Sequence, residues 1–420
     1  MKILLQNPQI LDKRSAWHRK KKNVLIQAGK ILEIGDRNFQ ADRVIDADGM
    51  ILSPGWFDLG TFCGDPGLEH REDITSLSKT AQTGGFTGIA VLPNTVPAVQ
   101  NKNDIAYLTK NNDSKLVQIH VIASVTRNNK GEDMTEMLDL HHGGAVAFSD
   151  GLRTVHNTDI FLKTLQYLRS FDGLLIDHAH DQWLDLFGQM NESPVSTSLG
   201  LKGRPELSEE AAASRNIRLL GYSEGRLHLM HVSSPRVVEL VRSALKKGLN
   251  ISCDVTAYQP LLDDELLTSF DTNFKVVPPL RSKSTNEKLI KGLKDGTIGV
   301  ITSGHLPVDE ENKVVEFDHA EPGMINLQTF ASQLVSLSDE ITWEDLLEKV
   351  TVNPRQLLRI NLPVIEAGER ANLTLLDPNR KWNFSKELNL SRSGNSPFFG
   401  AELKGKVAAV FNNSKYWLDA

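Results

Sequence analysis

Over the first fifty positions apolar and polar residues alternate with a period near two. The segments are KILLQ, NVLIQ, KILEIG and RVIDADG, punctuated by Gly29, Gly35 and Gly49. Alternation bounded by glycine turns predicts short strands with one buried face, so this stretch reads as a small β module without helices. From Ser53 the pattern changes. Eight short, almost wholly apolar runs follow, separated by helical segments: GWFDL, GIAVLP, VQIHVIA, GAVAFS, LLIDH, LHLMHV, NISCDVT and GVITSG. Runs without alternation fit strands covered on both faces, as in parallel sheets. Eight strand-then-helix units predict an α/β fold, a (β/α)8 barrel of the TIM type. The segment SSPRVVELVRSALKKG illustrates the helices. Ser234 suits the N-cap and Pro235 the first helical position. Val237, Val238, Val241, Ala244 and Leu245 fall on one face, and Gly248 can take the left-handed stop. After about residue 360 strands return in ANLTLLD and KVAAVFNN, among Gly-, Asn- and Ser-rich turns. The expected organisation is a β-sandwich-like module formed by residues 1–52 and 361–420, enclosing a barrel over residues 53–360.

Composition changes this picture little. Of 420 residues, 40% are hydrophobic and 24% charged, ordinary for a globular chain. A net charge of -6 argues against a nucleic-acid surface, and the one dense basic run, Arg19 to Lys22, reads as a solvated turn between strands. No run of apolar residues is long enough to span a membrane, and the N-terminus lacks the pattern of a signal peptide. Cys63 and Cys253 lie far apart and form neither a disulfide framework nor a Cys-x-x-Cys pair. A reducing, cytoplasmic compartment is expected, with no nucleic-acid or membrane partner.

Barrels of this class carry their chemistry at the C-terminal ends of the strands. Read in order, those ends offer Asp58, Gly60 and Phe62; Pro93, Asn94 and Thr95; Ser149, Asp150 and Gly151; Asp177, His178 and His180; His228 and His231; Asp254 and Thr256; then Ser303, Gly304 and His305. Asp150, His178 and His231 are of the type that binds zinc. On spacing alone the structural reading of them is the commoner one, and His180 and His228 read as core or surface histidines. A hydrolytic metal site also needs an open position for water and a general base, and the last run ends without an aspartate. The sequence contains no nucleophile elbow, phosphate loop or dinucleotide fingerprint.

Taken together, VIDADGMILSPGWFD, REDITSLSKTAQTGGFTGIAVLPNT, GAVAFSD, IDHAHD, HLMHVSS, FKVVPPLRS, TSGHLP, VEFDHAEPGMINLQT, NPRQLL and GERANLTLLDPNRKW resemble, from end to end, the dihydroorotase family of the amidohydrolase superfamily. The resemblance implies an enzyme of pyrimidine synthesis that interconverts carbamoyl aspartate and dihydroorotate. In such enzymes zinc activates water, and an aspartate at the end of the eighth strand moves the proton. The chain departs from that pattern at its functional positions. The family's His-x-His-x-Arg falls on Gly60, Phe62 and Gly64, its Asn before Pro-Pro-Leu-Arg on Val277, its strand-eight Asp on Gly304, the following His on Val308, and the second of its paired aspartates on Gly151. What remains by resemblance is Asn94 as a substrate contact and Asp150, His178 and His231 as metal ligands. No catalytic residue remains, and either no cofactor or a loosely held zinc is implied. Losing one catalytic group costs roughly 10²–10⁴-fold in rate, and here several are missing together. The resemblance therefore points to a pseudo-dihydroorotase. In some bacteria such a chain is a structural partner of aspartate transcarbamoylase, and relatives often form homodimers. Two other readings stay open: an altered zinc-dependent cyclic amide hydrolase using the residual ligands, and a module that binds a ligand in the old pocket without turnover. Hydantoinase and allantoinase chemistry is disfavoured, because it too needs the strand-one histidines.

Overall fold

The eight apolar runs become eight parallel strands in a computed structural model that describes residues 1–419. They are β1 (Trp56–Thr61), β2 (Phe86–Val91), β3 (Gln118–Ala123), β4 (Ala145–Phe148), β5 (Leu175–Asp177), β6 (Leu227–Leu229), β7 (Ile251–Thr256) and β8 (Val300–Thr302), neighbours in chain order. Every residue of β1 and β2 is buried, which explains why these runs show no alternation. Inward-facing Phe57, Leu59, Ala90, Ile122, Ile176 and Met230 pack into one interior cluster, while the outward-facing side chains meet the helices.

The helix Pro235–Lys246 forms as its sequence predicts. Ser234 caps it by accepting from the Arg236 N–H, and Val237, Val238, Val241 and Ala244 are buried. Gly248 takes φ +78° beyond the stop. Leu245 differs from expectation and is 42% exposed; one residue past Ala244 turns the side chain by about 100°, off the buried stripe.

Both termini build the β module. One sheet has the order Lys30–Gly35, Asn23–Gln27, Lys2–Gln6, Arg43–Asp46, and a second the order Lys415–Leu418, Glu402–Asn412, Leu373–Asn383, Ile51–Pro54, Gln9–Ile10. Leu5, Val24 and Leu52 share a core with Leu373, Ala409 and Phe411. The expected organisation differs at two places. Ile51–Pro54 runs through the expected break at residues 52 and 53 and pairs antiparallel with Leu373 to Leu376, so the barrel begins at Trp56. Residues 384–401 leave the module and lie on the barrel mouth. There Asn395 donates to the Leu306 carbonyl at 2.9 Å and accepts from the Val308 N–H at 3.1 Å. Their polar side chains satisfy backbone groups that irregular mouth loops leave unpaired.

The basic run is a paired turn: Arg19 meets Glu344 at 2.7 Å, Lys21 meets Asp48 at 2.9 Å and Lys22 meets Asp36 at 2.6 Å. Both cysteines are free and buried, and burial pushes the Cys63 thiol up to about 12. Among the described residues no helix is long and apolar enough to cross a membrane.

Candidate functional site

The mouth of the barrel is closed between its first and last strands by Asp58. Its Oδ1 accepts from the Ser303 N–H at 2.6 Å, and its Oδ2 accepts from Ser303 Oγ at 2.6 Å and Thr61 Oγ1 at 2.5 Å. The carboxyl is fully buried, and burial raises its pKa against these three bonds. Asp58 therefore ties β1 to the end of β8 and offers no free oxygen chemistry to the mouth.

The glycines at family functional positions do not leave vacant space. A Cβ at Gly304, where φ is +62°, would lie 2.6 Å from Thr256 Cγ2 and 2.8 Å from Tyr258 Cε1. One at Gly64 would collide with the Leu68 carbonyl and sit 2.8 Å from that of Glu72, because Gly64 N–H bonds the Glu72 carbonyl at 3.0 Å in a tight loop. One at Gly151, at φ +66°, would overlap the Asn94 side chain. Gly60 alone has some room, with Met230 Sδ at 3.2 Å, but its φ of +91° disfavours any side chain. Phe62 and Val308 are buried apolar residues. The cavity left among Gly60, Phe62, His231, Tyr258, Val277 and Gly304 measures about 10 Å³, room for about one water. Ligand pockets usually run to several hundred Å³.

The structure sorts the four residual site residues into two pairs, His178 with His231 and Asn94 with Asp150. The His178 and His231 rings lie 5.9 Å apart at 72°. Both are buried, and His178 Nδ1 and His231 Nε2 have no hydrogen-bond partner. Burial lowers both imidazole pKa values, His178 well below its ordinary range. His231 is held at φ +55° by its own N–H, which donates to Asp254 Oδ1 at 2.7 Å. The other Asp254 oxygen pairs with His228 Nε2 at 2.9 Å, so His228 is a core residue. His180 Nδ1 contacts the His178 carbonyl at 3.0 Å.

Asp150 and Asn94 are committed elsewhere. Both Asp150 oxygens accept from Thr126, at 2.9 Å from its N–H and 2.5 Å from its hydroxyl, and burial lifts the carboxyl to about 6. Asn94 donates to the Asp150 carbonyl at 3.2 Å and accepts from the Leu152 N–H at 3.1 Å. Its amide shapes the turn after β4 instead of facing the mouth. Zinc needs three or four donors around one point. Two imidazoles are offered, and among the described residues no group of three or more His, Cys, Asp or Glu side chains is placed to hold a metal ion. The residues present do not fit a zinc centre. Protein purified without chelator and dialysed is expected to carry well below one zinc per chain by elemental analysis. Stoichiometric zinc lost on His178→Ala would contradict this.

Two features of the mouth were not legible from strand ends. His305 lies fully buried; its Nδ1 accepts from the Asn326 N–H at 3.1 Å, which leaves Nε2 to donate to Glu72 at 3.3 Å. The Ser391 hydroxyl also donates to Glu72, so this group fastens residues 384–401 to the barrel. Above the mouth, Lys313 and Lys275 clasp the loop after β8. The Lys313 ammonium donates to the carbonyls of Glu321 and Gly323 at 2.9 Å each and of Lys275 at 3.3 Å. The Lys275 ammonium donates to those of Phe317 at 2.6 Å and Asp318 at 3.2 Å. Burial holds Lys313 down to about 7 and Lys275 to about 8. With folded values below the ordinary lysine range, the unfolded chain binds more protons above pH 7, so stability rises with pH there. Urea midpoints should increase from pH 7 to pH 9, by about 2 kcal/mol in stability. Lys313→Met should flatten most of that rise, and a wild-type profile that is flat or falling across this window would contradict it.

Comparison with known proteins completes the site. A family model described as "Dihydro-orotase-like" matches residues 49–236. A dihydroorotase of Syntrophus aciditrophicus is 37% identical, covering 97% of this chain and 97% of that protein. One of Geobacter metallireducens is 34% identical, with 99% of each covered. Among solved structures, an L-hydantoinase from Arthrobacter aurescens superposes with a TM-score of 0.86 at 21% identity, over 99% of this chain and 96% of that one. A D-hydantoinase gives a TM-score of 0.83 at 22% identity, over 100% and 95%. Likeness at that identity establishes a shared fold and nothing about substrate.

Proposed function

This chain belongs to the dihydroorotase family, and from that premise we propose that it is a pseudo-dihydroorotase of pyrimidine biosynthesis, kept as a structural partner of aspartate transcarbamoylase. The observation that carries the loss of chemistry is the packing at Gly304. The family's proton-shuttling aspartate belongs there, and Thr256 and Tyr258 occupy the space its Cβ would need. The same holds at Gly64, where the family's carboxylate-binding arginine would collide with the Leu68 backbone. Closed packing of this kind supports a site abandoned as a whole, because restoring one group leaves the others excluded and groups that act as a unit do not contribute separately. Meanwhile the barrel core, the helix caps and the Asp58 closure persist, as expected where the fold still serves a purpose.

The partnership rests on the family resemblance and on the persistence of that fold. Its test is co-expression with the transcarbamoylase of the same cell, followed by size-exclusion chromatography with light scattering. A stable complex, with both chains in one peak, is the expected result. A transcarbamoylase that assembles and works normally without this chain, and never elutes with it, would remove the proposal.

A further inference from the structure

The loop clasped over the barrel mouth turns an unusual surface outward. Residues 263–275 and 309–321 contain two lysines, Lys275 and Lys313, and both are buried with their ammonium groups on backbone carbonyls. Arg71, from the loop after β1, neutralises Asp309 and Glu321 at 2.8 Å each. What remains outside is apolar and acidic, apart from Thr268, Ser269, Asn312 and His319. Val314 is 73% exposed and Phe270 is 47% exposed, and Leu266 and Val315 are exposed beside them in sequence. The two segments form one surface, since Thr272 Oγ1 donates to the Lys313 carbonyl at 2.8 Å and the Phe270 and Phe317 rings meet at 6.0 Å. Exposed Glu265, Glu310, Glu311, Glu316 and Asp318 lie beside the apolar residues in sequence, and none of the five makes an ion pair among the described residues. His319 is the one exposed side chain of these segments able to carry positive charge.

We propose that this apolar centre with its acidic surround, on the outer face of the mouth loop, is the docking surface for a protein partner that presents lysines or arginines around an aliphatic or aromatic patch. The inference rests on the assembly role proposed above and locates it on the chain. Apolar side chains at the centre of an interface supply most of its affinity, and complementary charge at the rim supplies orientation and rate. Five unneutralised carboxylates together select a basic counterpart. They disfavour nucleic acid and anionic lipid. They also disfavour a second copy of this chain, whose symmetric contact would set acid against acid.

The probe is the transcarbamoylase, co-expressed with the full chain and read by size-exclusion chromatography with light scattering and by affinity at 50 and 500 mM NaCl. Two variants are compared: Phe270→Ser with Val314→Ser, and Glu310→Lys with Glu311→Lys and Glu316→Lys. All five positions are exposed or half-exposed, and unchanged thermal midpoints check that the fold is retained. The expected result is a complex weakened by about tenfold or more in high salt and in each variant. A wild-type complex that both variants preserve would overturn the docking surface while leaving the assembly role standing. Absence of any wild-type complex would overturn the assembly role and this surface with it. Self-association lost in the variants would identify a second copy as the occupant and overturn the basic-partner assignment.

Discussion

Gly304→Asp, introduced with Gly60→His and Phe62→His, leaves the protein without dihydroorotase turnover and lowers its stability by about 3 kcal/mol or more. Aspartate tolerates a left-handed backbone better than most residues, so the φ of +62° costs little. The collision decides the outcome. Thr256 Cγ2 and the Tyr258 ring lie within 2.8 Å of the new Cβ, and both residues are buried. Neither can yield without disturbing the packing of β7 and the loop beyond it. Overpacking alone costs about 1–3 kcal/mol, and a carboxylate placed in that pocket adds desolvation. Met230 can move aside for Gly60→His, at the expense of a strained backbone, whereas Gly64 excludes the arginine that would hold a substrate carboxylate. Urea denaturation gives the stability change, and a spectrophotometric assay of dihydroorotate gives the activity. A triple variant as stable as the parent, with turnover above background, would mean that the mouth is still shaped for the reaction.

Asp58→Ala costs about 3–5 kcal/mol, the second large effect. The substitution strips the Ser303 N–H, the Ser303 hydroxyl and the Thr61 hydroxyl of their acceptor at a site without solvent access. Each buried group left unsatisfied costs about 1–3 kcal/mol. These bonds join the first strand to the end of the last, so the loss falls on closure of the barrel. Asp58→Asn, which keeps one acceptor oxygen, should recover part of the loss. Equal stability of Asp58→Ala and wild type in urea would show that closure rests on backbone contacts alone, such as the 3.2 Å bond from Phe62 N–H to the His305 carbonyl.

The barrel was legible because its strands are buried along nearly their whole length and write their positions as almost wholly apolar runs. The helix from Pro235 was legible from its cap, its stripe and its stop glycine. These are local signals, and the periodicity carries them. The missing site groups were legible too, as substitutions against a family pattern. What filled their places was not. Tyr258 reaches Gly304 from the loop after β7, and Asn94 reaches Gly151 from the loop after β2; such contacts depend on where irregular segments lie in space. Asp150 and Asn94 were expected to face the mouth because they end strands. A strand end fixes the position of a Cα but leaves open which neighbour the side chain prefers, and here Thr126 and Leu152 claim them. Residues 384–401 gave only turn composition, with no sign that they would serve the barrel instead of the β module. The two clasping lysines look like surface residues in sequence, since nothing local marks an ammonium group that will meet backbone carbonyls.

The most direct test of a filled and inactive site is turnover by the unmodified protein. Purified protein, supplied with zinc and assayed in both directions between carbamoyl aspartate and dihydroorotate, should give rates indistinguishable from buffer. Measurable turnover that His178→Ala abolishes would contradict this account. It would establish in its place an altered hydrolase working from the two histidines that remain.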